Sequence, residues 1–500
     1  MRRIAATLLA LLLALPAQAQ STLNIGLRED PDLLDPTLGS SYVGRIVYAA
    51  MCDKLFDLDA QLNIVSQLAE SWIYESPTRL LIRLRPNVTF HDGEKLDAEA
   101  VRYKINRDAT LTGSMRVGEV NAIQTVEIVD PLTVRLILKA PSAPLLSLLT
   151  DRAGIMISPK AAEAAGAQFG TRPVCAGPYA FVSRVAQDRI TLRRFPGHWD
   201  AANHHFDQVV YRPIPNSAVR AANLRAGSLD LVEQIVPNDI ATIRGDSRLR
   251  IMIGDGLAYT GINFNIANGA AANTTIGQNR LVRQAFEAAV DRTALIQVVY
   301  EGLYTPTVQA NPPSSPFHFA ELQPPPRDIA RAKSLLQQAG VPLPVPVVIT
   351  VTNSPDTQQA AEVIQAMTTE AGFDVKLRVM EFASSLQAGY NGDFNAYLIG
   401  WSGRADPDGN MWQLLHSRGT FNYGRWSNPE ADALLDAARL PTEAAERRAI
   451  YAKFWEIQRH DLPLMYLWTA KNVVGMKAAL SSFVQVPDGL IRLRGVRMER

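Results

Sequence analysis

The sequence predicts an α/β fold divided into two lobes, and two observations carry that prediction. From about residue 20 to residue 268 the pattern is mostly short strands and hairpins with a few helices. Past residue 268, helical and extended patterns alternate in the βαβ manner that builds a parallel sheet. The Gly- and Ala-rich stretch Asn265–Asn273 lies where the pattern changes and is expected to be a hinge. With 500 residues the chain has core enough for two or three domains.

Arg2 and Arg3 open the chain, an apolar run of about a dozen residues follows, and Pro16 precedes the small-x-small triplet Ala17, Gln18, Ala19. Residues 1–19 therefore read as a secretory signal peptide, with an exported chain starting near Gln20. The run is too short to cross a bilayer, and no later stretch reaches the roughly 18 apolar residues a membrane helix needs. Without Arg2 and Arg3 the 50 basic residues become 48, against 49 acidic ones. That balance excludes a nucleic acid or acidic membrane held by bulk charge. The two cysteines, Cys52 and Cys175, either pair in the oxidising compartment or remain two buried thiols.

In chain order, Leu23–Leu27 reads as a strand and Asp30–Ser41 as a Pro- and Gly-punctuated loop before an apolar helix. Leu80–Leu84 is a strand, and Asp97 caps a helix running to about Arg107. Thr125–Leu138 alternates around Asp130-Pro131 as a hairpin, and a second strand pair spans Tyr179–Arg194. Asp328 caps a helix stopped by Gly340, Val345–Val351 is a strand, Asp356 opens a helix closed by Gly372, and Val375–Val379 is a strand.

The apolar end of Asp393–Ile399 then delivers Gly400–Trp412, GWSGRADPDGNMW, where Gly400, Gly403, Pro407 and Gly409 predict an irregular loop. A loop at the carboxyl end of a strand in an α/β domain is a ligand position. Trp401 offers a flat wall, Arg404 a bidentate fork, and Asp406 and Asp408 negative charge. The same residues also read as a surface turn in which Arg404 pairs with Asp406 or Asp408.

No P-loop, dinucleotide fingerprint, HExxH or G-x-S-x-G is present. Asp406, Asp408 and Asn410 imitate the start of a calcium loop, but Met411 stands where Gly is needed and Ser417 where Glu is needed. His198, His204 and His205 lack metal-site spacing and read as a solvated loop.

The block LAESWIYESPTRLLIRLRPNVTFHDGEKLDAEAVRYKINR, Leu68–Arg107, resembles the signature region of solute-binding protein family 5, the peptide- and nickel-binding components of ABC importers. DPLTVRLILKAPSAPLLSLL from Asp130, CAGPYAFVSRVAQDRITLRRFPGHWD from Cys175, RQAFEAAVDRTALIQVVYEG from Arg283 and YGRWSNPEADALLDAA from Tyr423 are similar to family stretches in the same order. The resemblance implies a two-lobed type II periplasmic binding protein with an extra subdomain in lobe I and the ligand cleft between lobes. Lobe I is expected at 20–62, 180–268 and 473–500, the extra subdomain at 63–179, and lobe II at 269–472. It implies binding and delivery without catalysis or cofactor: a monomer that captures an oligopeptide or peptide-like solute and presents it to membrane permease subunits. It also places Cys52 and Cys175 in one lobe, so a disulfide between them is expected.

By the same resemblance Ser40, Ser41 and Tyr42 match the lobe I loop that lines the cleft. Peptide-binding members carry an Asp three residues after the Trp matching Trp401. Here that position is Arg404, which favours an acid over an amine, with Asp406 left to meet an amine. Asn263 is read either as a cleft residue or as part of a strand ladder. The alternative of a nickel or metal-chelate receptor rests on His416, and a secreted hydrolase would need a nucleophile with its base, which no motif supplies.

Overall fold

The computed structural model describes residues 21–440 and 443–499, so the expected signal peptide lies outside the described residues. Two long strands, Leu249–Phe264 and Leu464–Lys477, pair antiparallel over most of their length and form the spine of the large sheet. On one side of the spine follow Leu231–Glu233, Thr22–Leu27, Gln208–Pro213, Arg189–Arg194 and Tyr179–Val185, which build lobe I. On the other follow Ala396–Trp401, Val345–Thr352 and Phe373–Met380, which build lobe II. The parallel pairing of Val345–Thr352 with both of its neighbours is the expected βαβ region.

Within lobe I an antiparallel four-stranded sheet, in the order Ala69–Ser76, Arg79–Leu84, Thr133–Leu138 and Ile123–Asp130, makes a subdomain with its own core. Leu80, Ile82, Val134 and Leu136 are fully buried there with Val101 of the helix Ala98–Thr110. Cys52 and Cys175 are joined by a disulfide across 123 positions, and both are buried. Among the described residues no helix is long and apolar enough to cross a membrane.

Local signals place the helix starts. Asp97 accepts from the Ala100 amide and Asp328 from the Arg331 amide. The helix expected to open at Asp356 starts one residue earlier, at Pro355 behind Ser354, because a proline's fixed φ and missing N–H suit the first helical position. Three expectations fail. The chain does not pass between lobes at Asn265–Asn273: Asn265 is fully buried in lobe II and its Nδ2 donates to the carbonyls of Asn268, Gly392 and Phe394 at 2.9–3.0 Å. The passage is made instead by the two spine strands, where the ladder breaks register between Asp255 and Tyr259.

The second failure is the irregular loop to Trp412. A helix begins at Asp408 behind Pro407 and runs to Leu415, with Asp408 stabilised in its first turn. Gly409 lies in that helix where it passes Arg404: a Cβ there would lie 2.6 Å from Arg404 Cγ. The third is the solvated histidine loop: His198 and His204 are buried and their rings meet edge to face at 5.4 Å, with His198 Nε2 2.8 Å from Asp53 Oδ2. Asp53, far away in sequence, holds His198, and His204 packs against that ring, which local pattern does not reveal.

Candidate functional site

A cleft of about 150 Å³ lies between the lobes, and strand ends from both supply its walls. The strand Thr22–Leu27 ends by delivering Arg28 and Glu29, and the helix Tyr42–Met51 begins at the wall with Ser40, Ser41 and Tyr42. Across from them the strand Ala396–Trp401 presents Gly400, Trp401 and Ser402, and the strand Val345–Thr352 leads into Ser354 and Asp356. Delivery of polar groups from the carboxyl ends of several strands is the usual ligand geometry of α/β sheets.

Ser40 and Ser41 are held by Asp32. The Ser40 hydroxyl donates to Asp32 Oδ2 at 2.6 Å, and the amides of Ser40 and Ser41 donate to the same carboxylate at 2.7 and 3.2 Å. Burial pushes the Asp32 carboxyl up, but these hydrogen bonds outweigh it and hold the group below its ordinary value. Ser41 also caps its helix, accepting from the Gly44 amide. Tyr42 donates its hydroxyl to the Gly489 carbonyl at 2.7 Å, and the Arg28 guanidinium sits over its ring at 4.7 Å.

Trp401 packs against Phe421 at 5.0 Å and donates its indole N–H to Asn410 Oδ1, so the ring is fixed as a wall. A second aromatic group, Tyr300, Tyr304 and Trp468, lies on the same cleft with centroids 4.5–5.1 Å apart. Arg28, Glu29 and Asp356 are the charged members of the lining besides Arg220. Burial raises the Glu29 carboxyl to about 7, with Glu233 adding to the rise and Arg28 opposing it.

The structure therefore brings Ser40, Ser41, Tyr42 and Trp401 together, and it separates the remaining expected residues from the cleft lining. Arg404 is 8 % exposed and pairs with neither Asp406 nor Asp408. Its Nε meets Asp151 Oδ2 of the lobe I subdomain at 2.6 Å, Nη1 donates to Ser402 Oγ and the Gly403 carbonyl in its own loop, and Nη2 is buried without a partner. Arg45 holds the other Asp151 oxygen at 3.0 Å and also donates to Ser402 Oγ at 3.1 Å. Burial pushes the Asp151 carboxyl up, but Arg404 and Arg45, with Arg152 and Arg116, outweigh it and hold it well below its ordinary range. Burial, with Arg45 beside it, lowers the Arg404 guanidinium to about 9.

Asp406 accepts two hydrogen bonds from Arg447 at 2.7 Å, and Asp408 accepts from Arg439 at 2.7 and 2.9 Å. Asn263 is a buried ladder residue opposite Tyr397 and Leu464. His416 is buried and stacked on Trp412 at 4.5 Å, facing Asp432 and Asp436. Among the described residues no group of three or more His, Cys, Asp and Glu side chains is arranged to hold a metal ion.

The sequence reading missed Arg28, Glu29, Asp356, Phe421 and Tyr423. The rule that pointed to Gly400, namely the carboxyl end of a strand, also applies at Leu27 and Thr352, and would have pointed to Arg28, Glu29 and Asp356. Phe421 and Tyr423 carry no local signal, because the fold alone brings them to the wall.

The family profile of the bacterial extracellular solute-binding proteins, family 5, middle region, matches residues 63–422. The glutathione-binding protein GsiB of Pectobacterium atrosepticum is 28% identical over 506 residues, covering 97% of this chain and 96% of that protein. The periplasmic binding protein DppA of Helicobacter pylori in complex with the peptide STSA superposes with a TM-score of 0.88 at 24% identity, covering 97% of this chain and 99% of that one. The oligopeptide-binding protein AppA of Bacillus subtilis in complex with a nonapeptide superposes with a TM-score of 0.89 at 20% identity, covering 96% and 100%.

Proposed function

We infer that this chain, which belongs to the bacterial extracellular solute-binding proteins of family 5, captures a small peptide or peptide-like solute between its lobes and delivers it to the membrane permease of an ABC importer. The observation that carries this reading is a cleft whose walls come from both lobes, with serine hydroxyls and a tyrosine on one side and a fixed tryptophan on the other. A solute held there is desolvated by closure of the lobes, and the closed form is what a permease can recognise. The signal-peptide pattern of residues 1–19 fits export to the periplasm.

The relatives favour a short ligand: glutathione, named in the curated relatives that this chain matches over nearly its whole length, is a tripeptide. On this reading Trp401 and Tyr42 supply facing walls, Ser40 and Ser41 supply polar contacts, and Arg404 acts by holding its loop rather than by touching solute.

The test is a thermal-shift and calorimetric titration with glutathione and a panel of di- and tripeptides, combined with native mass spectrometry of protein purified without refolding. A co-purified peptide-like mass and a stabilising peptide are expected, and Trp401→Ala should weaken binding about 30-fold, as loss of a central aromatic contact does. A co-purified solute unrelated to amino acids, together with no response to the panel, would discard the peptide reading.

A further inference from the structure

Of the two guanidinium groups on the cleft wall, one has both terminal nitrogens employed and only its Nε without a partner. Arg220 donates to the carbonyls of Ile214, Pro215 and Gln234 at 2.6, 3.0 and 2.9 Å. Arg28 differs. Among the described residues its guanidinium donates no hydrogen bond, and its Nε is buried without a partner. The nearest carboxylate oxygens, Glu233 Oε1 and Glu29 Oε2, stand 3.8 and 3.9 Å from Nε, beyond hydrogen-bond reach. Glu233 already accepts from the Arg28 amide at 2.7 Å, and the Glu29 oxygen is itself unpartnered. The side chain is about two-thirds buried, at 32% exposure, and the Tyr42 ring lies under the guanidinium plane.

A guanidinium two-thirds buried, with its Nε buried unpartnered and no donor used within the protein, is costly in a closed cleft. Glu233 and Glu29 supply charge at a distance but not donor satisfaction. What is missing is a planar acceptor within 3 Å, which is the description of a ligand carboxylate bound bidentately. We propose that Arg28 takes the acid group of the solute, making this a receptor for carboxylate-presenting peptides. The inference rests on the peptide reading above and transfers to Arg28 the role the sequence suggested for Arg404.

The experiment compares glutathione, alanyl-phenylalanine and alanyl-phenylalanyl-alanine as free acids and as carboxyl-terminal amides, by calorimetry on wild type, Arg28→Met and Arg28→Lys. Wild type is expected to bind at least one acid about 10- to 100-fold more tightly than its amide, the range of a charge-assisted pair. Arg28→Met should abolish that preference, and Arg28→Lys should restore only part of it, because a lysine keeps the charge without the fork. The wild-type comparison stands even where a variant fails to fold. Equal binding of acids and amides, or an acid preference that survives in Arg28→Met, overturns the assignment while leaving the peptide reading intact. Failure of both sets to bind wild type overturns the peptide reading and the assignment with it.

Discussion

Glu29 shows how one buried carboxyl ties the cleft to pH. It follows Arg28 at the strand end and is flanked by Glu233 on the neighbouring strand, Arg220 on the helix Ser217–Arg225, and Asp356 from lobe II. Because its folded pKa is raised from 4.5 to about 7, the folded protein holds a proton that the unfolded chain releases. Its contribution to stability is complete below about pH 4.5 and is lost as pH rises to about 7. The same ionisation places a negative charge beside Arg28. Affinity for a carboxylate solute is therefore expected to fall between pH 5.5 and about 8, and Glu29→Gln should flatten that profile, as titration calorimetry across the range would show. An unchanged slope in the variant would assign the pH dependence to another group. At this scale the sequence was legible where chemistry is local, as in Ser41 capping its own helix. It was misleading at Arg404, whose partner Asp151 lies 253 positions away by numbering and in the other lobe.

At the scale of elements, the strands and helices followed their local signals. The alternation of Thr133–Leu138 and the caps at Asp97 and Asp328 each found the expected element. What was not legible is what long-range contact decides. Gly403 was read as a helix and strand breaker, but its φ of 73° and a Cβ position 2.1 Å from the Leu257 carbonyl oxygen show a backbone crossing that glycine alone permits. The disulfide works through separation as well. It ties the end of the helix Tyr42–Met51 to the segment after the subdomain across 123 positions. On the chain-entropy account its removal should cost about 4 to 5 kcal/mol. The double variant Cys52→Ser, Cys175→Ser should show that loss in denaturant unfolding, whereas a loss under 1 kcal/mol would mean that the packing of Met51 and Gly177 fixes this junction without the bond.

At the scale of the whole molecule, closure is built partly from contacts that never meet solute. Arg404 and Arg45 share the Asp151 carboxylate between lobes, Arg439 donates to the Gly118 carbonyl at 3.1 Å, and the Ala143 amide donates to the Arg439 carbonyl at 2.9 Å. Asp151→Asn leaves Arg404, Arg45 and Arg152 together without their shared counter-charge, a loss of about 3 to 5 kcal/mol by analogy with broken buried pairs. The Arg404 share of that loss falls on the closed form alone, because Arg45 and Arg152 stay beside Asp151 on lobe I. The variant's radius of gyration in solution scattering should rise without ligand and its peptide affinity should fall, although Asp151 is absent from the lining of the main cleft. Unchanged scattering with affinity within threefold would reduce the pair to decoration. The spine has a different consequence. Because Leu249–Phe264 and Leu464–Lys477 each run through both half-sheets, neither lobe is a module that recombination or truncation can lift out. A cut through the passage would sever both strands and leave each half with only a short paired remnant at the side of its sheet. Duplication, fusion and loss in this architecture must therefore act on the whole pair of lobes, and only the outlying subdomain, with a sheet of its own, is free to come and go.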